Sequence, residues 1–165
     1  LYHDQALYKE PLGGYTPWHQ DQYYWPLDTE KTVTLWMPLV DITDDLGMLT
    51  FASGSHLKGA VESAAISDES ERIFEEYIHS QGFEVSKART MKAGDATFHM
   101  GWTIHCAGPN RSETTTREVM TIIYYADGTR IKTPENDNQK QDLAQWLGNL
   151  PAGSLAASEL NPVIG

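Results

Sequence analysis

The stretch TVTLWMPLVDI, residues 32–42, shows the clearest structural pattern in this sequence. Two sets of side chains alternate along it, Val33, Leu35, Met37 and Leu39 on one face and Thr32, Thr34, Trp36 and Val40 on the other. A period of two is typical of a β-strand, because successive side chains point to opposite faces. We therefore predict a strand over the whole stretch, followed by a turn at Asp44, Asp45 and Gly47.

Outward from this strand, turn residues separate further short stretches with strand character. The predicted strands are 1–10, 17–25, 48–52, 83–91, 96–100, 103–106 and 117–125. An amphipathic helix is predicted over Ser67–Gln81, capped by Ser-Asp-Glu and stopped by Gly82, and a short helix over Gln139–Leu147. Many short strands with frequent turns favour a mainly β fold, an antiparallel sandwich or barrel of the jelly-roll or cupin kind with a few covering helices.

The composition limits the class of protein. A chain of 165 residues with 40% hydrophobic residues is typical of one globular domain. The net charge of −11 disfavours nucleic acid as a partner, because the phosphate backbone would be repelled. No apolar run is long enough to cross a membrane. The single cysteine, Cys106, excludes an internal disulfide, so the expected location is the cytoplasm.

The segment His19-Gln20-Asp21 is the first candidate for a metal site. In an extended strand, residues two apart point to the same side, so His19 and Asp21 can bind one ion. Alone, such a pair is more often solvated or merely hydrogen-bonded. The signal strengthens because His105 adds an imidazole on a distant strand and Arg117 opens the next strand. Two imidazoles and a carboxylate are the ligands of non-haem Fe(II) oxygenases, and a guanidinium nearby can hold the dicarboxylate 2-oxoglutarate.

Several side chains near these candidates keep more than one interpretation. His99 competes with His105 by strand parity, but Gly101 makes a continuous strand doubtful, so His105 is preferred and His99 is assigned to the pocket or the core. Arg117, taken alone, is a strand-edge arginine paired with a surface acid. The candidates for substrate contacts are Tyr23 and Trp25, which share the parity of Asp21, together with His99 and Trp102.

Three runs of sequence, in this order, resemble the phytanoyl-CoA dioxygenase family of Fe(II)/2-oxoglutarate oxygenases. They are PWHQDQYYWP at 17–26, TLWMPLVDITDDLGMLTFASGSH at 34–56 and AGDATFHMGWTIHCAGPNRS at 93–112, followed by Arg117. The resemblance covers about Leu1 to about Asp127. One departure is Ala107, which stands where some relatives have a serine near the cosubstrate.

The resemblance implies a double-stranded β-helix with Fe(II) bound by His19, Asp21 and His105. The residues that it assigns to 2-oxoglutarate are Arg117, on the distal carboxylate, and Gln5, Trp36 and Lys9 in the surrounding pocket. The implied reaction consumes O₂, hydroxylates an unactivated C–H bond of a small molecule and releases succinate and CO₂. Halogenating relatives lack the carboxylate that Asp21 supplies, so hydroxylation is expected rather than chlorination.

Two other functions stay open at this point. One is a Zn(II) or Mn(II) cupin-like hydrolase or isomerase with the same three ligands, against which Arg117 argues, because a hydrolase needs no dicarboxylate anchor. The other is a non-catalytic jelly-roll binding module. The few, scattered basic residues disfavour a CoA thioester, so the expected substrate is a small polar or hydrophobic metabolite.

The predicted domain plan is an oxygenase core over residues 1–127 and an extension over 128–165, with a short helix and a tail, in the same domain. Relatives place helices and first strands before the H-x-D strand, whereas His19 here comes almost at once, and the chain begins with Leu1. We therefore expect upstream elements that this sequence lacks. The sequence predicts no oligomeric state.

Overall fold

The computed structural model describes residues 1–61 and 64–164. The strands within these ranges are β1 His3–Lys9, β2 Thr16–His19, β3 Thr32–Pro38, β4 Ile42–Thr43, β5 Leu49–Ala52, β6 Val85–Lys87, β7 Thr90–Met91, β8 Thr97–Met100, β9 His105–Ala107 and β10 Arg117–Tyr125. The helices are α1 Asp68–Gln81 and α2 Asp137–Trp146, and short 3₁₀ turns cover Asp21–Tyr24 and Ser55–Lys58. Neither helix in the described ranges has the length and apolar character needed to cross a lipid bilayer.

Two four-stranded antiparallel sheets form the body of the fold. One has the order β1-β10-β3-β8 and the other β2-β9-β5-β6, while β4 and β7 make a small third sheet. Side chains from both large sheets line one cavity between them. This arrangement is the double-stranded β-helix, so the predicted mainly β fold with covering helices is confirmed.

Strand β3, which covers most of the stretch 32–42, pairs with β10 on one side and β8 on the other. Its side chains alternate as predicted, and the buried face is the one that carries Thr32, Thr34 and Trp36. The strand ends at Pro38 rather than Ile42, and Ile42 begins the separate strand β4. Proline has no N–H to donate to a sheet ladder, which explains the earlier end.

The predicted strand over 17–25 is wrong in its second half. After His19 the chain leaves the sheet and enters the 3₁₀ turn, where the N–H of Gln22 donates to the carbonyl of Gly101 at 3.0 Å. The buried Gln20 side chain holds the turn, since its Nε2 donates to the carbonyls of Gly59 and Trp102 at 2.9 and 2.7 Å. The alternation of a strand therefore does not continue beyond Asp21, and it cannot assign Tyr23 and Trp25 to the side of Asp21. The predicted strand over 83–91 is also divided, into β6 and β7.

Helix α1 covers β2 and follows its sequence signals. The Ser67 side chain accepts from the N–H of Ser70 at 3.1 Å, and Gly82 ends the helix at φ 66°. Phe74 and Ile78 are buried against Trp18 of β2, whereas the acidic outer face is exposed. The predicted helix, capped by Ser67 and stopped by Gly82, is therefore confirmed, and it supports the strand that carries His19.

The C-terminal segment packs on the same body. Helix α2 begins earlier than predicted, because the Asn136 side chain accepts from the N–H of Gln139 at 2.9 Å and caps it there. Ile131 and Leu147 share a buried cluster with Tyr2 and Trp25. Residues beyond 127 thus bury part of the face that β1 and the 3₁₀ turn present.

Candidate metal centre and cosubstrate cavity

Three side chains meet at one end of the cavity. His19 ends β2, Asp21 begins the 3₁₀ turn, and His105 begins β9 directly opposite His19 in the sheet register. One donor atom from each lies within 4.8 Å of the others. Asp21 Oδ1 is 3.5 Å from the Nε2 atoms of both histidines. The predicted triad is therefore assembled, with Asp21 brought in by the turn rather than by an extended strand.

Both imidazoles are oriented by the backbone. The Nδ1 of His19 lies 2.7 Å from the carbonyl of Pro17, and the Nδ1 of His105 lies 2.9 Å from the carbonyl of Thr103. A carbonyl accepts only, so Nδ1 carries the proton in each ring and Nε2 keeps its lone pair. Metal-binding histidines are held in this way, and both Nε2 atoms face Asp21. The donor set and its supports therefore fit a divalent ion of the Fe(II) type.

The two oxygens of Asp21 have different partners. Oδ1 faces His19 and His105, while Oδ2 accepts from Thr34 Oγ1 at 3.0 Å and lies 3.2 Å from His99 Nε2. Burial alone would raise the pKa of Asp21, but the His105, His19 and His99 rings outweigh it and hold that pKa well below its usual range. Burial, together with the neighbouring His19, keeps the pKa of His105 well below its usual range. A carboxylate beside a neutral imidazole is the protonation state that a metal requires.

Two buried cations lie at the other end of the cavity. Arg117 and Lys9 face each other in the β1–β10 register and are 4% and 8% exposed. Neither forms an ion pair with a carboxylate of the described residues, and Arg117 Nε has no hydrogen-bond partner there. Burial lowers the pKa of Arg117 to about 10, and burial together with Arg117 lowers that of Lys9 to about 8. Desolvated cations without a counter-charge indicate a site for an anion.

Close backbone approach at two glycines positions these cations. Arg117 Nη1 donates to the carbonyl of Gly47 at 2.9 Å, and Lys9 Nζ donates to the carbonyl of Gly108 at 2.7 Å. Gly47 has φ +78°, and a Cβ there would lie 2.6 Å from the Gly108 oxygen and 3.2 Å from Lys9 Cδ. Any other residue would push the two loops apart. The turn predicted at Gly47 is thus part of the anion site.

One cavity of about 440 Å³ joins the two ends. Gln5 and Trp36 line it between the cations and the triad, and Trp36 also lies under the Arg117 guanidinium, 5.7 Å from ring centre to Cζ. Ala107 lines it too. The structure therefore brings all the residues assigned to metal and cosubstrate to a single cavity.

The candidates for substrate contacts divide into two pairs. Trp25 and His99 line the cavity, with His99 on β8 between Asp21 and Phe51. Tyr23 and Trp102 do not line it, which corrects those two predictions. The 3₁₀ turn is the reason for Tyr23, because it rotates Tyr24 toward the cavity instead.

Sequence reasoning missed other wall residues. Thr34 could have been found, since it shares the alternating face of Trp36 on β3. His3 and Asp142 also line the cavity, and no local pattern marks either one. The chain folds them together from opposite ends of the sequence.

A comparison with protein families places the chain. The model of the phytanoyl-CoA dioxygenase (PhyH) family matches residues 1–119. The chain belongs to the phytanoyl-CoA dioxygenase family. The cofactors of phytanoyl-CoA dioxygenase family enzymes are Fe(II) and 2-oxoglutarate, which agrees with the triad and the anion site. No curated protein gave a match.

Solved structures share the fold of this phytanoyl-CoA dioxygenase family member. The epimerase SnoN from nogalamycin biosynthesis is 23% identical with a TM-score of 0.77, over 97% of this chain and 60% of SnoN. The carbocyclase SnoK from the same biosynthesis is 24% identical with a TM-score of 0.74, over 95% of this chain and 58% of SnoK. EvdO2 from Micromonospora carbonacea var. aurantiaca, complexed with 2-oxoglutarate, is 20% identical with a TM-score of 0.58, over 82% of this chain and 55% of EvdO2. The chain thus spans less than two thirds of each.

Proposed function

We propose that this chain forms the core of an Fe(II)- and 2-oxoglutarate-dependent oxygenase that hydroxylates an unactivated C–H bond of a small molecule. One observation carries the proposal. The His19, Asp21 and His105 triad faces the same cavity as the buried guanidinium of Arg117, which has no carboxylate partner among residues 1–61 and 64–164. A metallohydrolase with the same three ligands does not need a buried guanidinium in its cavity, because it binds no dicarboxylate cosubstrate.

Each end of the cavity has a defined task in this proposal. His19, Asp21 and His105 hold Fe(II), and Arg117 pairs with the distal carboxylate of 2-oxoglutarate, with Lys9 adding positive charge beside it. When bound, Fe(II) with 2-oxoglutarate and O₂ supplies oxidation of a C–H bond coupled to release of succinate and CO₂.

The other wall residues orient groups and exclude water. Thr34 and His99 hold the outer oxygen of Asp21, which leaves Oδ1 directed to the metal position. Trp36 covers the Arg117 guanidinium and, with its buried ring, keeps the cavity apolar between the triad and the two cations. A dry cavity strengthens the charge pairing that positions the dicarboxylate.

Hydroxylation is the proposed outcome of the reaction. The similar structures include an epimerase, a carbocyclase and a monooxygenase, so proteins of this fold carry out different reactions. Asp21 fills the carboxylate position that a halide would need, which supports oxygen transfer over halogenation. Mass spectrometry of the product should show the gain of one oxygen. A chlorinated product in a chloride-containing assay would contradict this proposal.

Succinate formation tests the reaction class. The purified protein with Fe(II), ascorbate and O₂ should convert 2-oxoglutarate to succinate, and His19→Ala or Asp21→Ala should abolish this conversion, since each removes a ligand. His79→Ala, at the exposed end of α1, is the matched control and should leave it unchanged. Succinate release that survives both ligand substitutions would contradict the proposal. A panel of metabolites is then screened, and the compounds that stimulate succinate release identify the substrate class.

A further inference from the structure

The cavity contains a second polar group, formed by His3 and Asp142. His3 is 5% exposed, lines the cavity and has no hydrogen-bond partner at Nδ1 in the described parts of the chain. Asp142 lines the same wall from helix α2. A buried polar atom without a partner is costly, so this nitrogen points to a group that the protein itself does not supply.

Helix α2 fixes both side chains through one face. Asp142 Oδ2 accepts a hydrogen bond from the hydroxyl of the fully buried Tyr2. Trp146, four residues further along the helix, stacks on the His3 ring with centroids 4.4 Å apart and planes 14° apart. No donor of the described residues contacts Asp142 Oδ1. One oxygen of Asp142 thus anchors the helix, and the other has no protein donor within the described ranges.

This polar group is far from the anion site along the sheet. His3 pairs with Ile123 and Lys9 pairs with Arg117 in the same β1–β10 ladder, so six residues, about 20 Å of strand, separate the two pairs. In the described ranges, no lysine or arginine other than Lys9 and Arg117 lines the cavity. The Asp142 end therefore repels anions and favours groups that donate hydrogen bonds.

The pKa values of Asp142 and His3 also favour a ligand that donates hydrogen bonds. Burial raises the pKa of Asp142 to about 6 and lowers that of His3 to about 4. At neutral pH an ionised carboxylate and a neutral imidazole face the cavity. Trp25 and Ile123 supply apolar wall beside them.

We propose that His3 and Asp142 bind an O–H or N–H donor group of a neutral or cationic substrate, whose apolar body lies against Trp25 and Ile123. The inference rests on the proposed function, because it assigns this end of the cavity to the molecule that is oxidised. The family match ends at residue 119, so α2 lies outside the matched positions. Substrate choice would therefore involve a helix that lies beyond the residues matched by the family model.

Three probes of similar size test the inference: 2-phenylethylamine, 2-phenylethanol and phenylacetate. Their affinities are measured by ligand-observed NMR on the protein loaded with 2-oxoglutarate and Zn(II), which is diamagnetic and redox-inert. The wild type should bind the amine and the alcohol more tightly than the carboxylate. Asp142→Asn should weaken amine binding about tenfold, the value of one hydrogen bond to a charged group. If Asp142→Asn weakens binding of the amine only, the preferred ligand is a cationic donor. If it weakens binding of the alcohol equally, the preferred ligand is a hydroxyl donor.

Two further variants separate recognition from stability. His3→Phe keeps an aromatic ring that can stack on Trp146 but removes both nitrogens. It should weaken binding of the alcohol severalfold, and it provides a test even if Asp142→Asn folds poorly. Asp137→Asn makes the same chemical change at a fully exposed position of α2 and should leave all three affinities unchanged. Melting temperatures of all variants are recorded alongside.

The inference is overturned if the three probes bind equally, or if Asp142→Asn and Asp137→Asn behave alike. It is also overturned if Tyr2→Phe, which removes only the helix anchor, causes the full loss seen with Asp142→Asn. Binding of 2-oxoglutarate to the same samples reports on the proposed function separately. A wild type that binds the amine but not 2-oxoglutarate would contradict the oxygenase and leave the donor site standing.

Discussion

At the scale of single residues, the Asp21 carboxylate shows how the site is preorganised. Its Oδ1 lies between two imidazoles, and its Oδ2 is held by Thr34 and His99. A carboxylate free to rotate would lose this distinction. Partners of this kind commonly contribute ten- to a hundredfold to metal affinity, so Thr34 belongs to the metal site although it cannot bind the ion.

Thr34→Val should therefore lower Fe(II) affinity about tenfold while the fold is retained. The substitution keeps the shape of the side chain and removes only the hydroxyl that donates to Asp21. Anaerobic Fe(II) titration provides the measurement. Thr97→Val is the matched control, because the Thr97 hydroxyl is buried on β8 without a hydrogen-bond partner in the described chain. Equal affinities of the two variants would contradict the role of Thr34.

In the proposed function, the burial of Arg117 serves ligand binding rather than stability. Replacing a buried charge that lacks an opposite charge by an apolar side chain of similar length removes a desolvation cost. Arg117→Met should therefore leave the free energy of unfolding of the ligand-free protein unchanged or increased, as measured in urea. A large loss of stability would show that the hydrogen bond from Arg117 to the Gly47 carbonyl contributes more to folding than the desolvation of the guanidinium costs.

The lowered pKa of Lys9 predicts how cosubstrate binding depends on pH. Burial and Arg117 bring this pKa to about 8, so Lys9 loses its charge in the free protein as the pH rises through that value. Only the protonated amine attracts a carboxylate. Affinity for 2-oxoglutarate should be highest below pH 8 and fall above it, and calorimetry from pH 7 to pH 9.5 measures this fall. Lys9→Met should bind more weakly and show a flatter profile; an unchanged profile would contradict the assignment.

At the scale of elements, helix α1 holds the strand that carries His19. Glu71 accepts from the N–H of Trp18 at 2.6 Å, and the Ser70 hydroxyl donates to the carbonyl of Trp18 at 3.0 Å. Both groups of the residue before His19 are thus satisfied by one helix. The sequence predicted this helix because caps are local signals, but it could not predict that the helix completes the hydrogen bonding of β2.

The cap of α1 gives a stability prediction. Ser67→Ala removes the acceptor for the Ser70 N–H and should lower the free energy of unfolding by about 1 kcal/mol. Ser80→Ala, near the exposed end of the same helix, removes a hydroxyl bonded only to the Tyr77 carbonyl and should change it by a few tenths of that. Urea denaturation of both variants distinguishes the two positions. Similar values for them would contradict the capping role.

At the scale of the whole molecule, the sequence predicts features that depend on neighbouring residues better than features that depend on contacts between distant parts of the chain. The alternation on β3 predicted a strand, and the caps of α1 predicted a helix. The order of the motifs, through the family resemblance, predicted the double-stranded β-helix and the proximity of the triad to Arg117. Strand parity beyond Asp21 failed, because the buried side chain of Gln20 fixes a turn through partners 39 and 82 residues away. The pairing of Tyr2 with Asp142 spans 140 residues, so no local signal could predict that wall of the cavity.

The net charge of −11 also has a different meaning once the cavity is known. Two of the twelve basic residues, Lys9 and Arg117, are buried in the cavity and therefore add little positive charge to the exposed surface. The expected attraction for a dicarboxylate is therefore confined to the cavity. The net negative charge of the chain disfavours larger polyanions such as CoA thioesters, which supports the proposal of a small substrate.

In the proposed function, one cavity holds a metal at the triad and the distal carboxylate of 2-oxoglutarate at Arg117. Anaerobic calorimetry of 2-oxoglutarate binding to the Fe(II)-loaded protein tests it most directly. We predict one binding site in the wild type, with affinity at least tenfold weaker after metal removal and in Arg117→Met. Tight Zn(II) binding without 2-oxoglutarate binding, or 2-oxoglutarate binding that neither change affects, would contradict the account.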